Sequence, residues 1–365
     1  MPLRRIKSVD TYRGLIMVEM IWVHTVGWAI LEAQVWIAGL TISIIDRGMA
    51  GPGFLFISGL SAMLFIKNRI SKSNNLKAIR LEYFIRALLI LVLSLIYNSF
   101  VALGVGDPSW IWSWFMLQAI SISLFMAWPL LKTPKTFRIL IAILFWIMNY
   151  FIFNLLLPYK GQINIFGILY HFFYHPITLD PILALFSYFI IGTVIGDIIF
   201  EVFQIEDQQK RRLIFKKKLF YPLIIIGGIS MILSLILRYP YTLSITSISW
   251  IAFAIGIVFL IIGVLLYLEE FEVLKTKKQY KFFYYFSFYS LTVYLSHNIL
   301  YIFFTHQLQW YFAYIYAAIS ILIFWVVLIV LFNSRWRNRL SIKIAIGKIA
   351  FTIVKRNENK KKNIS

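Results

Sequence analysis

Long apolar stretches separated by short charged segments recur along the whole 365-residue chain. A helix needs about 20 consecutive, mostly apolar residues to cross the hydrocarbon core of a bilayer. The pattern predicts ten such helices, at about residues 11–31, 52–66, 83–103, 110–131, 139–157, 181–203, 219–237, 244–268, 282–304 and 310–332. The predicted fold is therefore all-α, that of a polytopic integral membrane protein.

Lysine and arginine are distributed unevenly between the loops. If the N-terminus is cytoplasmic, 33 of the 36 Lys and Arg residues fall in cytoplasmic segments or at their edges. Only Arg47, Lys160 and Arg238 remain for the outer side. Cytoplasmic loops of membrane proteins carry an excess of these residues. The asymmetry therefore predicts that both termini are cytoplasmic.

The composition excludes a soluble protein and several kinds of chemistry. The chain is 61% hydrophobic and 14% charged, whereas soluble domains carry about 25% charged residues. The net charge of +21 is explained by basic cytoplasmic loops, so membrane lipids rather than nucleic acid are the expected partners. The absence of cysteine excludes disulfides, thiolate metal sites and cysteine nucleophiles.

Residues 1–335 are predicted to form one transmembrane domain with no separate soluble domain. Residues 336–356 alternate between basic and apolar, a pattern typical of an amphipathic helix that lies on the membrane surface. The last residues, 355–365, are rich in Lys and Asn and are expected to be disordered in the cytoplasm.

The first predicted span is unusual because it carries ionisable side chains. An ionisable group at the centre of a bilayer costs roughly 3 kcal/mol or more, so it indicates a function or a buried partner. On an α-helix Arg13 and His24 lie on one face, roughly 16 Å apart. His24 is a candidate general acid or base, and the alternative is a polar bridge to a neighbouring helix.

His297 lies about 15 residues into the ninth predicted span, at a depth similar to that of His24. We predict that the two imidazoles face one polar cavity, which is joined on its inner side to Arg13. Tyr294 precedes His297 by one helical turn and can share its face. One imidazole would then take a proton, while the other, or Tyr294, donates to a developing oxyanion.

Asp10 and Arg13 flank the cytoplasmic mouth of the first span, and Arg86 enters the third span from the same side. Arginine offers several donors to a phosphate, so these residues are candidates for binding a phosphate-bearing ligand. The alternative is simple anchoring by basic residues with one incidental ion pair.

Other ionisable residues suggest less. His171 and His175 have the spacing of a helical zinc pair, but only Asp180 is nearby and a proline follows the second histidine. No metal is therefore expected. Glu19 and Asp197 are interpreted as buried partners rather than catalysts.

Five segments resemble a known family when they are taken in order. They are RRIKSVDTYRGLIMVEMIWVH (4–24), DRGMAGPGFLFISGLS (46–61), WFMLQAISISL (114–124), LDPILALFSYFIIGTVIGD (179–197) and YSLTVYLSHNIL (289–300). Their order and spacing resemble the membrane acyltransferase family typified by the heparan-alpha-glucosaminide N-acetyltransferase catalytic domain.

The resemblance implies that acyl-CoA, with acetyl as the expected acyl group, is the co-substrate and is held at the cytoplasmic face. The acyl group would be delivered to an amine or hydroxyl of a glycan or small acceptor across the membrane. Carried over residue by residue, the resemblance marks Asp10, Arg13, Gly14, His24, Pro52, Gly59, Gln118 and His297. Gln118 joins Asp10, Arg13 and Arg86 as a candidate for binding the donor.

One departure concerns the outer linker before the second span. The lysosomal members of the family have an essential histidine there, whereas this chain has LEAQVWIAGLT (31–41), in which Glu32 is the only ionisable residue. Either His24 or Glu32 is the base, or the donor, acceptor or activity has changed. Heparan sulfate is therefore not implied, and a transporter or a catalytically inactive scaffold stays open as an alternative.

Overall fold

The structure is a computed structural model that describes residues 5–39, 49–72, 75–175, 181–238, 246–273 and 279–362. The described residues form helices and connecting turns without a β-strand, which confirms the all-α prediction. The α-helices used below are α1 (Lys7–Ala29), α2 (Gly51–Ile70), α3 (Leu76–Val105), α4 (Met116–Ala127), α5 (Lys135–Leu156), α6 (Ile165–Tyr174), α7 (Ile182–Phe203), α8 (Gln208–Phe215), α9 (Tyr221–Arg238), α10 (Ile248–Glu270), α11 (Gln279–Phe288), α12 (Ser290–Ser296), α13 (Trp310–Asn333) and α14 (Ile342–Lys362).

Eight helical segments of the described chain are long and apolar enough to cross a membrane. They are Gly51–Ile70, Leu76–Val105, Pro108–Ala127, Lys135–Tyr159, Ile182–Phe203, Gln208–Leu237, Ile248–Glu270 and Trp310–Asn333. Each coincides with a predicted span, although several extend further. On α3, α5 and α13, most apolar side chains of the span point away from the protein, as expected where a helix faces lipid. The chain is therefore a multi-pass membrane protein.

The first and ninth predicted spans do not meet the same criterion. Helix α1 is 23 residues long, but its charged and polar residues reduce its hydropathy. The ninth span is broken: α11 ends at Phe288, α12 follows from Ser290, and a 3₁₀ helix runs from His297 to Ile302. These two segments carry the candidate histidines. The total of ten spans stays a prediction, and so does the side of the membrane on which the termini lie.

Helix α7 is the centre of the bundle, because nearly all of its side chains are buried. It packs most closely on α2, where glycines allow the two backbones to touch. A Cβ added to Gly59 would lie 1.9 Å from the carbonyl oxygen of Phe189, and one added to Gly192 would lie 2.0 Å from that of Phe56. Small residues at such crossings let membrane helices approach closely.

Helix α1 crosses α11 in the same way. A Cβ on Gly14 would lie 2.0 Å from the carbonyl oxygen of Phe283. This crossing places the N-terminal turns of α1 against the segment that leads to His297. Gly14 and Gly59, both marked by the family resemblance, therefore have a packing role in this structure.

Asp197, predicted to be a buried partner, forms ion pairs with Lys67 and Arg138. The side chain of Arg138 is only 1% exposed. It also donates to the carbonyl and hydroxyl oxygens of Thr193. A buried guanidinium needs such partners because an uncompensated charge in the interior is costly.

The C-terminal segment differs in extent from the prediction. Its helix, α14, begins at Ile342 rather than 336 and continues to Lys362, through residues that were expected to be disordered. It packs on α3 and α12. The hydroxyl of Thr292 donates to the carbonyl of Leu340, and that of Ser341 donates to the carbonyl of Phe288. The start of α14 is thus fixed to the broken ninth span.

Candidate functional site

His24 and His297 are in direct contact. Nδ1 of His24 lies 2.9 Å from Nε2 of His297, although 273 residues separate them in the chain. His297 is 1% exposed and His24 is half-buried. The sequence predicts that both imidazoles face one polar cavity that is joined to Arg13. The two rings do meet, but neither lines the cavity beside Arg13, whose walls are mainly apolar.

A second bond fixes the direction of the first. Nδ1 of His297 lies 2.6 Å from the carbonyl oxygen of Tyr294, and a carbonyl only accepts, so Nδ1 of His297 carries the hydrogen. In a neutral imidazole the other nitrogen is then an acceptor. Nε2 of His297 therefore accepts from Nδ1–H of His24, which leaves Nε2 of His24 as the basic nitrogen of the pair.

Aromatic residues lie beside the histidine pair. The Trp28 ring stacks on the His297 ring with centroids 5.6 Å apart, and it lies 5.0 Å from the His24 ring. Tyr301 meets Trp28 edge to face. Trp28 is half-buried and Tyr301 is 48% exposed, so this aromatic side of the pair lies near the surface of the protein.

Backbone bonds tie the end of α1 to the segment that precedes α13. The amide of His306 donates to the carbonyl of Trp28, that of Leu308 donates to Ala29, and that of Leu31 donates to Leu308. The segment therefore covers the end of α1 that carries His24.

A cavity of about 260 Å³ opens beside the opposite half of α1. Its walls are mainly apolar, with three cationic residues and Tyr294 among them. The residues that line it include Arg13, Ser61, Arg86, Tyr294 and Lys343. Tyr294 joins the two parts of the site, because its ring centroid lies 5.8 Å from that of His297.

Arg13 is held at the basic end of this cavity by neighbours on three elements. It donates to the hydroxyl of Ser61 at 2.5 Å and to that of Ser287 at 3.4 Å, and it lies 3.5 Å from Asp10. Asp10 also accepts from Arg5 and from the Ser287 hydroxyl. Burial alone would raise the pKa of the Asp10 carboxyl, but Arg13 and Arg5 outweigh it and hold that pKa below its usual value. Asp10 is thus a charged positioning group for Arg13.

Lys343, at the start of α14, reaches the same place. Its ammonium donates to the carbonyl oxygen of Ser287 at 2.5 Å. Burial and the positive charge of Arg13 lower the pKa of Lys343 to about 7, although Asp10 opposes this shift. Arg86 approaches from α3, 2.6 Å from Glu82, with its guanidinium 4.3 Å from the centre of the Phe65 ring.

Two other predicted residues lie outside the cavity. Gln118 is fully buried and accepts from the amide of Asn98, which also donates to the carbonyl of Ser113. Its partners belong to the packing of α4 against α3. Glu32 is exposed in a short 3₁₀ helix after α1. The described contacts do not connect Glu32 with either histidine.

The candidate zinc pair is also separate from the site. The rings of His171 and His175 have centroids 5.1 Å apart, and His175 packs against Trp110. Asp180, like the segment 40–48 that contains Asp46 and Arg47, lies outside the described residues.

Sequence reasoning missed Ser287, Lys343 and Trp28. Lys343 belongs to a pattern of basic and apolar residues that is typical of a surface helix. This pattern did not indicate that its side chain points into the cavity. Trp28 lies one helical turn after His24, a spacing that indicates contact on one helix face.

The family described as heparan-alpha-glucosaminide N-acetyltransferase, catalytic, matches residues 5–240. The match includes Arg13, Arg86 and His24 and ends before Tyr294, His297 and Lys343. No curated protein matches the chain. The match covers well over half of the sequence, and the chain therefore belongs to the heparan-alpha-glucosaminide N-acetyltransferase catalytic family.

Proposed function

We propose that this protein is a membrane acetyltransferase that uses acetyl-CoA at its basic end, which we assign to the cytoplasm. The acceptor would be an amine or hydroxyl of a glycan or small molecule that arrives from the opposite side. One observation supports this proposal above all. A single cavity extends from Arg13, Arg86 and Lys343 to Tyr294, which adjoins the histidine pair.

The dimensions of the cavity suit one part of acetyl-CoA. A cavity of about 260 Å³ is below the usual range for whole drug-sized ligands. It suits the narrow, mostly apolar pantetheine arm. The phosphates of CoA would then remain at the mouth, where Arg13 and Arg86 offer the charge and donors that phosphate requires. The thioester would point towards Tyr294.

The histidine pair would supply the acid–base chemistry. As the acceptor nitrogen or oxygen attacks the thioester carbonyl, Nε2 of His24 takes its proton. His297 accepts from Nδ1–H of His24 throughout and so orients the imidazole and stabilises its cation. The Tyr294 hydroxyl donates to the oxyanion. When the carbon–sulfur bond breaks, the proton passes from His24 to the CoA thiolate, which leaves as free thiol.

Binding and turnover can be measured separately on the purified protein. Calorimetry with acetyl-CoA should show binding that His24→Ala preserves and Arg13→Ala weakens. Acetyl transfer from labelled acetyl-CoA would be screened against amino sugars and envelope glycans. Because the chain has no cysteine, released CoA is the only thiol and can be detected with a thiol reagent. His24→Ala should lower turnover about a hundredfold or more, as expected for lost acid–base catalysis.

The outcomes distinguish the alternatives. Absence of acetyl-CoA binding by the unmodified protein would contradict the proposal and favour a transporter or scaffold. Binding that Arg13→Ala leaves unchanged would place the donor elsewhere. Full turnover in the His24→Ala variant would remove the histidine pair from the chemistry.

A further inference from the structure

The C-terminal helix α14 begins with a lysine in an unexpected environment. On an amphipathic surface helix, a lysine normally extends its ammonium to water. Lys343 instead points into the cavity and donates to the Ser287 carbonyl. Five residues later, Lys348 on the same helix is exposed.

Ser287 couples this lysine to Arg13. Its carbonyl accepts from Lys343, and its hydroxyl accepts from Arg13 and donates to Asp10. Lys343 and Arg13 are therefore held by the same residue although one lies on the first helix and the other on the last. Gly347, one turn after Lys343, lies beside Arg86, because a Cβ there would be in ordinary van der Waals contact with the Arg86 guanidinium, at 3.4 Å.

The local charge favours an anion. The charged groups that act on Lys343 are Arg13 and Arg5, which repel it, and Asp10, which attracts it. Asp10 already accepts from Arg5 and lies beside Arg13. Three cations around one carboxylate leave positive charge at the mouth of the cavity, and holding like charges together there costs free energy that a bound anion would offset.

We infer that α14 is part of the donor-binding site and that the Lys343 ammonium binds a phosphate group of the acyl donor. This inference rests on the proposed function and deepens it, because the family match ends at residue 240 and so assigns nothing to α14. Arg13, Arg86 and Lys343 come from three different helices and face one cavity. The phosphates would therefore be bound between the first, third and last helices of the bundle.

The test compares two donors that differ in phosphate. Acetyl-CoA carries the phosphates and an adenosine, whereas S-acetylpantetheine has the same thioester and arm without either. For Lys343→Ala, the dissociation constant for acetyl-CoA should rise about tenfold or more, as expected for a lost charge-assisted hydrogen bond. The constant for S-acetylpantetheine should not change. Lys343→Arg should restore acetyl-CoA binding in large part.

Lys348→Ala is the matched control, because it removes the same charge from an exposed position on the same helix. It should bind both donors like the unmodified protein, and thermal unfolding should show that all variants are folded. Equal weakening of both donors in Lys343→Ala would indicate a purely structural role and overturn the inference. Unchanged acetyl-CoA binding in Lys343→Ala would also overturn it, while loss of binding in Arg13→Ala would still support the proposed function. If the unmodified protein bound no acetyl-CoA, both proposals would fail together.

Discussion

At the scale of single residues, one backbone carbonyl decides the roles of two imidazoles. Because the carbonyl oxygen of Tyr294 only accepts, Nδ1 of His297 carries the hydrogen and Nε2 of His297 is an acceptor. Nδ1 of His24 must therefore donate to Nε2 of His297. The two histidines are therefore not interchangeable, although the sequence alone left open which one takes the proton. In the proposed mechanism, His297 acts on His24 in the way that a fixed acceptor orients a catalytic histidine.

Glutamine substitutions should separate these roles. In His297→Gln the side-chain oxygen can occupy the place of Nε2 and accept from His24, so turnover should exceed that of His297→Ala by about tenfold or more. His24→Gln supplies no base and should be as inactive as His24→Ala. The measurement is the rate of CoA release at saturating acetyl-CoA. Recovery by His24→Gln but not by His297→Gln would reverse the assignment.

The pKa of Lys343 predicts a pH dependence of donor binding. Because burial and Arg13 lower this pKa to about 7, Lys343 is mostly protonated at pH 6 and mostly neutral at pH 8. An anionic donor favours the protonated form, so acetyl-CoA affinity should fall as the pH rises through this range. Arginine stays charged throughout, so the affinity of Lys343→Arg should fall less. Parallel pH profiles for the two proteins would contradict this prediction.

A functional role could be predicted from the sequence for residues whose depth in the membrane and helix face follow from the sequence. The charge pattern predicted similar depths for His24 and His297, and their cost in hydrocarbon indicated that they need partners. The direction of the hydrogen bond could not be predicted, because it depends on the turn from α12 into the 3₁₀ helix at His297. Gln118 and Glu32 were selected by resemblance and by position in the chain, neither of which states which side chains meet in space.

At the scale of elements, the apolar pattern locates helices well and their interruptions poorly. The eight apolar helices were predicted from length and composition. The break at Tyr289 was not, because residues 282–304 are apolar whether or not the helix is continuous. Likewise α14 was expected on the membrane surface, but its first residues bond to Phe288 and Thr292. Amphipathic periodicity indicates a helix with two faces, and it does not state what covers each face.

The α2 and α7 crossing should be sensitive to a single methyl group. In Gly59→Ala the new Cβ would meet the Phe189 carbonyl at 1.9 Å, so the helices must separate, at a cost of about 1–3 kcal/mol or more. Gly228→Ala is the matched control, because a Cβ there meets nothing within 4 Å and alanine favours a helix. Thermal unfolding in detergent should show a lower midpoint for Gly59→Ala and an unchanged or higher one for Gly228→Ala. Equal midpoints would mean that the crossing is not tight.

At the scale of the whole molecule, the cations and the histidines lie at different levels of one bundle. Arg13 and His24 are on the same helix, roughly 16 Å apart along its axis. The cavity lies beside the Arg13 end of this stretch of α1, and the histidine pair lies at its His24 end. Such a division suits a reaction whose donor and acceptor enter from opposite sides, provided that the basic end is cytoplasmic.

Introduced cysteines can test this orientation without interference, since the chain has none of its own. Ser71, Gln162 and Asn359 are all exposed. In sealed cells an impermeant thiol reagent should label Gln162→Cys, while Ser71→Cys and Asn359→Cys should react only after permeabilisation. Labelling of Ser71→Cys in sealed cells would reverse the proposed topology.

The contact between His24 and His297 also affects how the protein is made. The ribosome synthesises α1 first. Because α1 contains polar and charged residues, its hydropathy alone does not favour stable insertion into the membrane. Ser61, one partner of Arg13, follows it by 48 residues, but the partners of Gly14 and His24, on α11 and the 3₁₀ helix, emerge more than 250 residues later. Until then, α1 has neither the glycine crossing with Phe283 nor the imidazole of His297. The proposed reactive centre is consequently completed only near the end of translation, and a chain that stops before residue 297 would hold the proposed donor-binding arginines without the proposed base.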